Sequence, residues 1–129
     1  MRIPGALFAA TVLMFVLVSG TAAKPSDPFT GVWTSIDTDG SNQTISFGGP
    51  GSLRFVHYFD DGASACGWPE DNVTATMNGV GTVSGDTLTT DLNGQCNGTG
   101  QDLSSSGVVY TYDSTGNTLT DTFGVTWYR

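Results

Sequence analysis

His57 is the single histidine of a 129-residue chain, and catalysis on it would need an activated partner that the sequence does not present. No serine stands in a G-x-S-x-G turn, the arrangement that exposes a hydrolase nucleophile at the top of a sheet. His57 therefore reads as a partly packed strand residue. Asp60-Asp61 offers two carboxylates, the pair used in glycosidic hydrolysis, but that chemistry needs them across a cleft, whereas adjacent strand residues point to opposite faces. Followed by Gly62, they read as a turn. Asp37-Thr38-Asp39-Gly40-Ser41-Asn42 carries hard oxygen ligands suited to Ca²⁺, without the spacing or terminal glutamate of an EF-hand. Asp-Gly hairpin chemistry explains the same residues. Cys66 and Cys96 have no further Cys or His at metal-ligand spacing. These residues predict no enzyme, no bound metal and no cofactor.

The segments that must position any site begin with an address. Met1-Arg2, the uncharged apolar run 6–18 and the small residues Ser19-Gly20-Thr21-Ala22-Ala23 are the three parts of a secretory signal peptide. The apolar run is shorter than the roughly 20 residues of a membrane helix. The expectation is a signal peptide over 1–23, a single domain over 24–129 and a secreted product, extracellular or periplasmic. In such a compartment Cys66 and Cys96 should form a disulfide. The formal net charge is −8, and Arg2, one of four basic residues, is lost with the signal peptide. So acidic a chain excludes electrostatic binding of nucleic acid or of an anionic membrane. Asn42, Asn72 and Asn97 stand in N-x-T sequons, which become glycan sites if the source is a eukaryote.

Strong helix formers are scarce beyond the leader, while Thr, Val, Tyr, Phe, Trp and Gly recur, so the domain should be all-β. Residues 31–37 alternate, with Val32, Thr34 and Ile36 on one face and Trp33 and Ser35 on the other. Gln43-Ile45-Phe47 share a face of the next strand, and 53–59, apolar on both faces apart from Arg54 and His57, should be the most enclosed strand. An irregular segment with Cys66, Trp68 and Pro69 follows, then Val73-Ala75-Met77, a break at Asn78-Gly79, and a further strand at Gly81-Thr82-Val83. Residues 93–106, rich in Gly, Asn and Ser, read as the longest loop, stapled at Cys96. The last strands run through Val108-Tyr110-Tyr112, 118–122 and Val125-Trp127-Arg129. About eight short antiparallel strands with tight turns predict an up-and-down β-barrel with one disulfide. Closing the sheet also disposes of edge strands that this lysine-poor chain is ill-equipped to protect.

Gly31-Val32-Trp33 resembles the G-x-W signature of the lipocalin and avidin-like barrels, the calycins. In that family the Trp plugs one barrel end beneath a basic side chain from near the C-terminus, which implies structural roles for Trp33 and Arg129. A longer stretch, Gly31-Val32-Trp33-Thr34, Gly40-Ser41-Asn42-Gln43-Thr44-Ile45 and Tyr58, is similar to the opening of the avidins. The resemblance implies that Ser35, Ser41 and Tyr58 contact a ligand head group; the family's Asn after the Trp is Ser35 here.

The aromatic residues Trp33, Phe55, Tyr58, Trp68, Tyr110, Tyr112 and Trp127 suit a cavity at one barrel end, with Trp68 as its lid. The functional expectation is a non-enzymatic barrel that binds a small, partly apolar ligand at its open end, through Ser35, Ser41, Tyr58, Trp68 and Tyr110. The rival is a protein-interaction module, in particular a secreted protease inhibitor that presents residues 24–29 to an extracellular partner as a protruding segment extended by Pro25 and Pro28.

Overall fold

The computed structural model describes residues 27–70 and 72–129. The expected signal peptide and Lys24-Pro25-Ser26 lie outside the described residues. Eight strands follow one another: β1 Gly31–Ile36, β2 Asn42–Gly48, β3 Leu53–Asp60, β4 Ala75–Ser84, β5 Thr87–Cys96, β6 Asp102–Asp113, β7 Thr118–Asp121 and β8 Thr126–Trp127. All pair antiparallel in chain order, as a meander. Closure is made by Thr34 and Tyr128, which exchange both backbone hydrogen bonds, at 2.8 and 2.9 Å. Ser35 Oγ adds a bond to Thr126 O at 2.8 Å across the same seam. The result is an all-β, nearly closed barrel, compatible with a calycin-like fold.

Strand alternation decides what faces inward. In β1 Trp33 and Ser35 are buried while Val32, Thr34 and Ile36 are exposed. In β3 the inward set is Arg54, Val56, Tyr58 and Asp60, and Leu53, Phe55 and Phe59 face solvent, Phe55 at 71% exposure. This corrects two expectations: β3 is not the most enclosed strand, and Asp60 is a buried strand residue, not a turn residue. The pleat, fixed by register with β2 and β4, overrides the hydrophobicity of individual side chains.

The expected break at Asn78-Gly79 is continuous strand, and the expected loop 93–106 is strand on either side of a short turn at 97–101. The glycines that read as breakers are required by close approach of β4 and β5. A Cβ on Gly79 would lie 1.9 Å from Asp91 O, and one on Gly94 would lie 1.9 Å from Thr76 O. In β6 one extra residue, Gly107 at φ +70°, breaks register with β5, and Asp91 Oδ1 accepts from the Gly107 N–H at 3.0 Å and from Ser106 Oγ at 2.8 Å. This bulge resets the alternation, so the inward set changes from Leu103 and Ser105 to Val108 and Tyr110.

One barrel end is sealed. Phe29 is fully buried, its carbonyl accepts from Trp33 Nε1 at 2.9 Å, and both rings pack edge-on against Tyr112. The Arg129 guanidinium lies 4.3 Å over the Trp33 ring and donates to Pro28 O at 2.8 Å and to Asn117 Oδ1 at 2.9 Å. Asp27 pairs with the inward-facing Arg54. Residues 27–29 are thus part of the plug, which corrects the expectation of a protruding segment: burying Phe29 stabilises by roughly 1.5–3 kcal/mol, and a protease cleft would have to extract it. Above the plug Ile45, Phe47, Val56, Leu88, Leu119 and Trp127 fill the interior. At the opposite end the Cys66–Cys96 disulfide, buried with Ala63 and Ala75, ties the β3–β4 connection to the end of β5. Among the described residues no helix is long and apolar enough to cross a membrane.

Candidate functional site

The open end is built where the inward faces run past the packed core. β2 brings Gln43, β3 brings Tyr58 and Asp60, β4 brings Met77, and β5 and β6 bring Leu92, Val108 and Tyr110. Asp37 follows β1, Asp121 ends β7, and Trp127 forms the floor. These side chains line two adjoining cavities of about 180 and 210 Å³ that share Asp37, Tyr58 and Met77. About 150 Å³ is enough for a benzene ring, so each lobe accommodates one ring or its equivalent. The second lobe is roofed by Ala63, Ser64 and Ala65 of the short 3-10 turn Ser64–Cys66, which the disulfide holds down.

The polar groups are ordered among themselves. The Tyr58 hydroxyl lies 2.9 Å from Gln43 Oε1 and 3.2 Å from Asp60 Oδ2, and Asp60 Oδ1 accepts the Gly62 N–H at 3.0 Å. Trp127 Nε1 donates to Asp121 Oδ2 at 3.0 Å, while Asp121 Oδ1 accepts the N–H groups of Phe123 and Val125. Asp121 thereby fixes the indole against which Tyr58 and Tyr110 pack edge-on, at 6.4 and 5.9 Å between ring centroids. Burial, and then the charges of Asp60 and Asp37, raise the Tyr58 phenol well above its ordinary value. Burial and then Asp121 do the same to Tyr110. Both are neutral hydrogen-bonding groups at physiological pH.

Two polar groups have no internal partner. Tyr110 is 4% exposed, and its hydroxyl makes no hydrogen bond to any described residue. Gln43 is 5% exposed, and its Nε2 likewise makes none. Both residues line the same cavity. Both side chains are largely buried, but these two atoms open on the cavity; among the described residues the buried side-chain atom without a partner is Arg54 Nε, at the sealed end.

Of the residues expected at the site, Tyr58 and Tyr110 meet there. Ser35 is spent on the β1–β8 seam, and Ser41 Oγ donates to Asp39 Oδ1 at 2.6 Å, so neither lines a mouth cavity. Trp68 is not the lid; its indole packs against Gly62, where a Cβ would meet Nε1 at 2.4 Å. Trp33 and Arg129 lie at the sealed end, and Phe55 lies on the outer surface. His57 is also outside, its Nδ1 2.7 Å from Asn78 Oδ1. In the loop weighed for Ca²⁺, Asp37 Oδ1 accepts from Thr38 and Asp39 accepts from Ser41 and Ser64, so these carboxylates brace the turn. Among the described residues no three His, Cys, Asp or Glu side chains are grouped to hold a metal ion.

Gln43, Asp60 and Asp121 were not expected at the site. The available signal was phase: Gln43 shares its face with Ile45 and Phe47, and Asp60 shares its face with Val56 and Tyr58, so each is a polar residue on a core face. The chain matches no known family model, and neither a curated protein nor a solved structure resembles it at a significant level.

Proposed function

We propose that this protein is a secreted, non-catalytic barrel of calycin type that binds a small, partly apolar molecule in its open end. The observation that carries this reading is the Tyr110 side chain, nine-tenths buried, whose hydroxyl opens on the cavity without a protein partner. That hydroxyl is free to hydrogen-bond a molecule held in the cavity. The aromatic wall of Tyr58, Tyr110 and Trp127 over Met77 and Leu92 suits an apolar body. The head-group contacts that the avidin resemblance implies have no support at Ser35 and Ser41, which are engaged elsewhere.

The test is a fragment screen by NMR on the isotope-labelled, oxidised protein. Fragments that shift the resonances of Tyr58, Met77, Tyr110 and Trp127 together, and that lose affinity in Tyr110→Phe, support the reading. A chemically diverse library that leaves the mouth resonances unmoved at millimolar concentration overturns it.

A further inference from the structure

We infer that the molecule bound in the open end is an organic cation, an amine or guanidine carried on a ring or short apolar chain, recognised by the carboxylates of Asp37 and Asp60 and by the faces of Tyr58 and Trp127. The inference rests on the binding reading above and adds the chemical class of the ligand.

Three carboxylates, those of Asp37, Asp60 and Asp121, line the two lobes, and no Lys, Arg or His does. The described cations are engaged elsewhere: Arg54 pairs with Asp27 and Arg129 covers Trp33, both at the sealed end. Asp60 is 3% exposed, so its charge is weakly screened by solvent. An anion entering the mouth would meet repulsion from all three carboxylates, and a neutral molecule would leave Asp60 without a countercharge.

Hydrogen-bond capacity leads to the same class. The Tyr58 hydroxyl has one proton and two acceptors within reach, Gln43 Oε1 and Asp60 Oδ2, so one acceptor is always short of a donor. Asp37 Oδ1 accepts from Thr38, and Asp37 Oδ2 has no donor among the described residues. An ammonium or guanidinium group supplies several N–H donors at one point. The unpartnered Tyr110 hydroxyl and Gln43 Nε2 mark the cavity as a place for a ligand independently of its charge. A bare metal ion fits poorly, since no three potential ligand side chains converge there among the described residues. Aromatic walls and the apolar surface of Met77, Leu92 and Leu103 suit a cation with a hydrocarbon body, and the ring faces attract its charge. The net charge of −8 draws such a ligand toward the mouth.

The experiment titrates three probes of one shape and different charge, phenethylamine, 2-phenylethanol and phenylacetate, into the labelled, oxidised protein at neutral pH and fixed ionic strength. Chemical shifts of Tyr58, Met77, Tyr110 and Trp127 report occupancy. The expected result is roughly tenfold tighter binding of the amine than of the alcohol, with phenylacetate weakest. Asp37→Asn should bring amine and alcohol toward parity by weakening the amine. Asp60→Asn should act in the same direction; because Asp60 also bonds Gly62 and Tyr58, Asp37→Asn is the deciding variant. Equal or tighter binding of the alcohol or the acid overturns the cationic class and leaves the binding reading standing. Mouth resonances unmoved by all three probes at millimolar concentration also overturn it, and the broader fragment screen then decides the binding reading separately.

Discussion

The Tyr58 hydroxyl reaches Gln43 Oε1 at 2.9 Å from the adjoining strand, and that contact marks where the packed interior of the barrel gives way to its polar mouth. Below it the inward residues are Ile45, Val56 and Leu88; above it they are Asp60, Asp37 and Asp121, around space for a small molecule.

The two mouth tyrosines should respond oppositely to loss of the hydroxyl. Tyr58→Phe removes the one hydroxyl proton shared between Gln43 Oε1 and a buried carboxylate and should cost about 1.5–3 kcal/mol. Tyr110→Phe removes a hydroxyl with no internal partner and should change stability by less than about 0.5 kcal/mol, or raise it. Urea denaturation of both variants, without ligand, checks this; equal losses would contradict the assignment of Tyr110 as unpartnered.

The same tyrosines predict instability in alkali. Their folded-state values are raised, so the native protein stays protonated at pH values where the unfolded chain, with phenols near about 10, releases protons. Their stabilising contribution is complete below that pH and declines as pH rises past it. Absorbance titration should show Tyr58 and Tyr110 ionising only as the fold opens.

At the sealed end, acid should act through Asp27. Burial works to raise this carboxyl, but hydrogen bonds from the Phe29 N–H, the Thr30 hydroxyl and Arg54, with the Arg54 charge, outweigh it and hold the carboxyl below its ordinary value. The stabilisation is present above the unfolded value of about 4 and is lost as pH falls through the lower, folded one. Asp27→Asn leaves the guanidinium of Arg54 buried without a countercharge. Because Asp27 is itself 23% exposed, a cost of about 2–3 kcal/mol is expected, below the roughly 3–5 of a fully buried pair. Comparing the urea midpoints of wild type and variant from neutral to acid pH should show a smaller acid-induced loss in Asp27→Asn.

The disulfide should matter to both fold and mouth. It closes a separation of 30 residues, worth about 3–4 kcal/mol in the chain-entropy account. The Cys66→Ala, Cys96→Ala double variant should lose about that much stability. Hydrogen exchange should then rise at Ala63, Ser64 and Ala65, the roof of the second lobe, more than at Leu88 or Ile45 in the core. Uniform acceleration would show that the bridge does not hold the roof.

Composition and alternation by themselves determined an all-β meander of about eight strands, that Trp33 and Ser35 share a face opposite Val32, Thr34 and Ile36, and the Cys66–Cys96 pair. These are local properties: each follows from propensity, a period of two, or the only cysteines available. Tertiary structure alone decided that Phe55 faces solvent and Asp60 the interior, because the phase of β3 is set by register with β2 and β4. It also decided that Gly79 and Gly94 lie within strands, because the approach of the β4 and β5 backbones leaves no room for a Cβ there. The site divides in the same way. Tyr58 and Tyr110 could be singled out as strand-borne aromatics, but their meeting with Gln43, Asp37 and Asp121 depends on bringing β1, β2, β3, β6 and β7 around one axis, and on a bulge at Gly107 that turns Tyr110 inward. Contacts between residues so far apart in the chain are set by barrel closure, and no local pattern encodes them.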